Sequence, residues 1–134
     1  MSDEYAVDLL TRMLNIYSPS TQEEEISLFL ADEMTKLGFK VHRDEVGNVI
    51  GEIGEGSPVV LLCGHMDTVE GEIPIRVEDG NLYGRGSVDA KGPLSAMIVA
   101  ASKFTDGSFP GKILVVGVVD EEGTGSGIQH FVEE

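Results

Sequence analysis

The chain has 134 residues, 41% of them hydrophobic, and its 24 acidic against 9 basic side chains give a formal net charge of −15. That length holds one domain with a real core, and the composition is that of a soluble folded chain. The charge excludes nucleic acid as the natural partner, since phosphates demand basic patches, and no apolar run approaches the ~20 residues that span a bilayer.

The start, Met-Ser-Asp-Glu-Tyr, has no basic-then-apolar leader pattern, so a cytoplasmic location is expected. Cys63 is the single cysteine and reads as a small core residue. Ala6, Leu9, Leu10, Met13, Leu14 and Tyr17 recur at helical spacing, which predicts an amphipathic helix over 3–17. Ser18-Pro19-Ser20 breaks it. Ser20 or Thr21 is placed to cap a second helix, with Glu23 or Glu24 as capping-box partner and Gly38 as its stop. Ile26, Phe29, Leu30, Met34 and Leu37 form that helix's buried stripe. Both helices read as packing elements without chemistry.

Residues 39–45 and 49–53 read as strands joined by a turn at Gly47-Asn48, with His42 facing solvent. The apolar run Val59 to Cys63 predicts a strand buried on both faces. It ends in Gly64-His65-Met66-Asp67, and residues two apart in extended chain point to one side. A hairpin is expected around Glu78-Asp79-Gly80, then a glycine-spaced loop from Gly84 to Gly92, and a central helix opening at Pro93. Ile113 to Val119 is a second apolar strand ending in Asp120-Glu121-Glu122-Gly123, and a last helix runs over Ile128 to Glu134. The pattern is α/β: a central, mostly parallel mixed sheet flanked by helices. The abrupt stop within a helical pattern is that of a fragment.

Three segments thus carry His65, Asp67, Asp89, Glu121 and Glu122. Singly each has a plainer reading: a histidine paired for structure, a solvated acidic run, a carboxylate at a helix start. Brought together they repel without a cation among them. Mixed nitrogen and oxygen donors suit Zn²⁺, with Co²⁺ or Mn²⁺ as substitutes. Two other readings compete. Gly123-Thr124-Gly125-Ser126-Gly127 follows a strand and opens a helix, as a phosphate-cradling loop does, although three carboxylates precede it. A non-catalytic scaffold with an exposed sheet edge is the other.

Gly64-His65-Met66-Asp67-Thr68-Val69, Gly84-Arg85-Gly86-Ser87-Val88-Asp89-Ala90-Lys91-Gly92 and Asp120-Glu121-Glu122-Gly123 resemble the motifs of the M20 metallopeptidases. The resemblance covers essentially the whole chain and includes the acetylornithine deacetylase and succinyl-diaminopimelate desuccinylase group. Asp-Ala-Lys-Gly-Pro-Leu looks closest to its lysine- and ornithine-releasing branch. It implies an amide hydrolase of amino-acid biosynthesis holding two divalent metal ions, with a zinc-peptidase-like catalytic domain. His65 and Glu122 would each ligate one metal, Asp89 would bridge the two, and Glu121 would be general base for a water between them. Asp67 would orient His65. A cis peptide after Asp89 is also implied.

The implied substrate is a small N-acyl amino acid or an acidic amino-group carrier protein, while a sheet lacking its later strands would expose an edge or apolar face and favour a homo-oligomer. Acetylornithine deacetylase or an M20 carboxypeptidase or dipeptidase is the alternative. Family members are several hundred residues long, so residues 1–134 correspond to the N-terminal portion of the catalytic domain. The remaining two ligands and the dimerisation domain would lie elsewhere, and this portion is expected to be inactive alone.

Overall fold

A computed structural model describes residues 3–133, so Glu134 of the expected last helix lies outside it. The elements run α1 (Asp3–Leu14), α2 (Glu24–Lys36), β1 (Lys40–Arg43), β2 (Val49–Gly54), β3 (Val59–His65), β4 (Arg76–Glu78), β5 (Asn81–Tyr83), α3 (Lys91–Ser102), β6 (Lys112–Val118) and α4 (Ser126–Glu133). The main sheet has the order β1-β2-β6-β3; β1–β2 and β2–β6 are antiparallel and β6–β3 is parallel. The sheet is mixed and flanked by helices, as expected, but it is not mostly parallel: β3–β6 is its one parallel pairing among the described residues, because β1 and β2 form a hairpin whose second strand runs against β6. No helix among the described residues is long and apolar enough to cross a membrane.

Alternation along β6 explains the layering. Ile113 and Val115 join the large core that α1, α2 and α3 cover through Leu9, Met13, Ile26, Leu30, Leu94 and Ile98. Val116 and Val118 belong to a smaller cluster with Ile50, against which Ile128 and Phe131 of α4 pack. Successive side chains of a strand point to opposite faces, so one strand feeds both layers. The hairpin closes through Asp79 at φ 53° and Gly80 at φ 79°, the paired positive φ values of a type I′ turn.

Three further expectations need correction. Strand β3 is not buried on both faces: Val59, Val60 and Leu61 are exposed, because among the described residues β3 pairs only with β6 and forms the sheet's edge. An apolar run reports a strand without reporting its neighbours. Helix α1 ends at Leu14 rather than Tyr17. There the buried Lys91 ammonium donates to the Met13 and Ile16 carbonyls at 3.1 and 2.6 Å, satisfying the helix end. The capping box of α2 does not form: the N-cap is Glu23, without a side-chain cap hydrogen bond.

Helices α1 and α2 are fastened by Glu33, which is buried. It accepts hydrogen bonds from Tyr5 Oη at 2.6 Å and from Arg12 Nη1 and Nη2 at 3.0 and 2.9 Å. The Arg12 hydrogen bonds hold the Glu33 carboxyl below the usual carboxylate range, against the opposing effect of burial. A lowered carboxyl stabilises the fold fully above its ordinary titration range, and that contribution disappears as pH falls through the lowered value. Glu33→Gln should therefore cost about 1–2 kcal/mol at pH 7, at the low end because Arg12 is partly solvent-screened. Urea unfolding at pH 7 and near pH 2.5 checks this: the difference between the two proteins should shrink in acid.

Candidate metal centre

Strands β3 and β6 run parallel with His65 opposite Val118, so both chains leave the sheet at the same edge. Open α/β sheets form clefts at the carboxyl ends of such strands. His65 is the last residue of β3, and Met66 N–H still bonds the Val118 carbonyl at 2.9 Å. Beyond them lie Asp67 on one chain and Asp120 to Glu122 on the other.

Asp67 is fully buried and ties the two exits together. Its Oδ1 accepts the Glu121 N–H at 3.0 Å, and its Oδ2 accepts the Glu122 N–H at 3.0 Å and the Ser20 hydroxyl at 2.5 Å. A buried carboxylate is costly unless such donors replace its water. His65 Nδ1 lies 2.8 Å from the Asp67 carbonyl oxygen and 3.3 Å from Oδ1. A carbonyl only accepts, so Nδ1 carries a proton and Nε2 is the ring nitrogen turned to the site.

Three carboxylates converge on that Nε2. Asp89 Oδ1 stands at 2.9 Å, Glu121 Oε2 at 3.4 Å and Glu122 Oε1 at 3.8 Å. Donor atoms of His65, Glu121 and Glu122 all lie within 4.8 Å of one another, a spacing that a metal ion can bridge. Among the described residues no lysine or arginine forms an ion pair with Asp89, Glu121 or Glu122. The cluster's charge shows in its titration. Glu122 is raised, first by its hydrogen bond to Asp89, then by burial and the neighbouring Asp89 and Glu121 charges. Burial works to depress His65, but hydrogen bonds to Asp67 and Asp89 and the Glu121 and Asp67 charges leave it raised. One imidazole nitrogen with several carboxylate oxygens is a donor set that suits a divalent ion.

All five residues singled out from the sequence are therefore at one sheet edge. The Asp89–Ala90 peptide is cis. The glycine-rich loop after β6 is not arranged for a phosphate. Thr124 Oγ1 and Ser126 Oγ donate to Asp120 Oδ2 at 2.6 and 3.0 Å, and the Gly125 N–H donates to the Asp120 carbonyl at 2.8 Å. Those hydroxyl bonds, the Thr124 one foremost, hold the Asp120 carboxyl below its ordinary range.

Sequence reasoning missed three residues here. Ser20 and Glu23 read as a local capping pair, yet Ser20 reaches Asp67 and buried Glu23 accepts the Asp120 N–H at 2.6 Å. Asn48 read as a turn residue. It is fully buried, accepts the Val119 N–H at 2.9 Å, and donates to the Gly127 carbonyl at 2.9 Å and to Asp44 Oδ2 at 2.7 Å. A Cβ at Gly127 would come within 2.8 Å of Asn48 Oδ1, so only glycine permits this approach. Apart from Asp44, these partners lie tens of residues away, and nothing local in the sequence announces them.

The chain is similar in sequence and fold to known proteins. The model of peptidase family M20/M25/M40 matches residues 61–134. The LysW-lysine hydrolase of Deinococcus radiodurans is 42% identical over 123 residues, covering 90% of this chain and 34% of its own length. The LysW-lysine/LysW-ornithine hydrolase of Saccharolobus islandicus is 39% identical over 128 residues, covering 94% of this chain and 35% of its own. This chain thus spans about a third of the length of the curated relatives it matches.

Two solved structures share the fold. Human carnosine dipeptidase 1 superposes with a TM-score of 0.81 at 24% identity, over 97% of this chain and 35% of that one. A Bacillus subtilis protein described as a dinuclear metal binding peptidase from the M20 family does so with a TM-score of 0.72 at 14% identity, over 97% and 38%. The Asn48 stitch is tested directly by Asn48→Ala, which removes the acceptor of the Val119 N–H and the donor to the Gly127 carbonyl. It should cost about 2–3 kcal/mol in urea unfolding, and a loss under half that would show the three contacts to be dispensable.

Proposed function

The chain belongs to peptidase family M20/M25/M40, and from that premise we propose that it carries one wall of the metal site of an amide hydrolase. The observation behind this is the convergence of Asp89, Glu121 and Glu122 on His65 Nε2. His65, Asp89 and Glu122 would hold divalent metal ions, with Asp89 placed between the other two ligands. The nitrogen and oxygen donors favour Zn²⁺, and Co²⁺ is a workable substitute. Bound metal supplies Lewis acidity for the amide carbonyl.

Exposure separates the adjacent glutamates. The Glu122 side chain is 21% exposed and lies against Asp89, whereas that of Glu121 is 48% exposed. Glu121 is free to take a proton from the attacking water and return it to the departing amine, the general base and acid of the reaction. Asp67 positions both: its carbonyl fixes the His65 ring, and its carboxylate holds the Glu121 and Glu122 backbone.

The substrate class follows from the relatives' names and from Asp-Ala-Lys-Gly-Pro-Leu in this chain. We assign release of lysine or ornithine from an N-acyl or carrier-protein-linked form, in a cytoplasmic setting. Residues 1–134 correspond to the N-terminal portion of the catalytic domain, and hydrolysis needs the further ligands that the whole protein supplies.

Calorimetric titration with Zn²⁺ tests the assignment. The 134-residue chain should bind detectably, Asp89→Ala should weaken binding at least about tenfold, and Glu121→Gln should change it less than about threefold. Equal affinity in the chain and Asp89→Ala would overturn the ligand set, and a larger loss for Glu121→Gln than for Asp89→Ala would reverse the roles.

A further inference from the structure

We propose that residues 18–23, between α1 and α2, are a positioning clamp that sets the separation of the two ligand-bearing loops, with Ser20 and Glu23 as its jaws. The inference rests on the metal-site reading above and adds two residues to it that touch no proposed ligand side chain.

One jaw grips the loop after β3. Backbone bonds run from Ser20 N–H to the Thr68 carbonyl at 3.2 Å and from Thr68 N–H to the Ser18 carbonyl at 2.9 Å, a short parallel bridge at Pro19 and Thr68. Ser18 Oγ donates to the Met66 carbonyl at 3.0 Å, and Ser20 Oγ donates to Asp67 Oδ2 at 2.5 Å. This loop is held by side chain and backbone alike.

The other jaw grips the loop after β6. Asp120 has φ 56°, a left-handed conformation that few residues other than glycine adopt. That turn is what aims the Glu121 and Glu122 N–H groups together at Asp67. Glu23 accepts the Asp120 N–H at 2.6 Å, inside the protein. Thr21, between the jaws, has φ 74°, so the clamp itself is built on a second left-handed residue.

Burial works against Glu23, and the Asp120 N–H is the foremost of the backbone bonds that offset it. A buried carboxylate without a cation among its described partners is unfavourable, and Asp67 nearby adds repulsion. Helix α2 would be better served by the capping box that Ser20 and Glu23 could form locally. The Ser20 hydroxyl instead bonds Asp67, and the Glu23 carboxylate reaches Asp120 as well as the backbone of Thr21 beside it. Together they join loops more than fifty residues apart in sequence, from a third segment that contributes no ligand.

Residue-resolved amide exchange by NMR on the 134-residue chain, with Zn²⁺ calorimetry alongside, tests the clamp. Glu23→Ala should speed exchange at Asp120, Glu121 and Glu122 at least about tenfold while the Val115 and Val116 amides of β6 stay near their original rates. Zn²⁺ affinity should fall about tenfold. Glu23→Gln keeps an acceptor oxygen for Asp120 and should restore both measurements to within about threefold. Acceleration spread equally over β6 would mean that Glu23 serves only general stability and would overturn the proposal, as would unchanged rates at 120–122. Should Glu23→Ala not fold, Ser20→Ala removes one oxygen from the other jaw. It should weaken Zn²⁺ binding and speed exchange at Glu122, and no change in either refutes the clamp. A chain that binds no Zn²⁺ contradicts the proposed function, whereas the exchange rates at 120–122 still decide the clamp.

Discussion

A buried carboxylate must be satisfied where it stands, and in this fold the carboxylate of Asp67 imposes that demand on everything near it. Water cannot reach it, and its donors are two consecutive backbone N–H groups and one hydroxyl. Consecutive amides point to one acceptor only if the chain turns sharply, and Asp120 supplies that turn with its positive φ. The turn throws the Glu121 and Glu122 side chains toward β3, where His65 has Nδ1 engaged by the Asp67 carbonyl and Nε2 facing Asp89. The spacing of the candidate ligands is thus a consequence of satisfying one inner carboxylate.

The cluster is also an electrostatic debt. Three carboxylates around one imidazole raise Glu122 and His65 together, and both shifts are relieved when a cation replaces the protons. The buried cation that follows Asp89 does not serve this purpose. Lys91, two residues past Asp89, spends its ammonium on the carbonyls at the end of α1, and burial pushes it down to about 8. It anchors the start of α3 to α1, leaving the carboxylates at the sheet edge for an ion from solution.

Much of this was legible in the letters. β6 was recognisable as a β-branched run, the hairpin from Asp79-Gly80, and α2 and α3 from their apolar spacing. His65, Asp67, Asp89, Glu121 and Glu122 stood out because each follows an apolar run or a glycine-rich loop, where chains leave a sheet. The edge position of β3 was not legible, since Val-Val-Leu-Leu-Cys reads alike with one neighbour or two. Ser20, Glu23 and Asn48 were misread for a common reason. Each belongs to a short local pattern, a capping box or a turn, and each is captured by a partner 47, 97 or 71 residues away. Local propensity is worth about 1 kcal/mol, less than leaving buried partners such as Asp67 or the Asp120 N–H unsatisfied.

X-ray absorption at the zinc edge of the Zn²⁺-loaded chain is the most direct measurement of whether these side chains share one cation. A first shell of nitrogen and oxygen at about 2.0–2.2 Å, with the outer scattering of a single imidazole, is the expected spectrum. A sulfur shell at about 2.3 Å, which only Cys63 or a methionine could provide, or a shell without imidazole, would place the metal away from His65 and contradict the site.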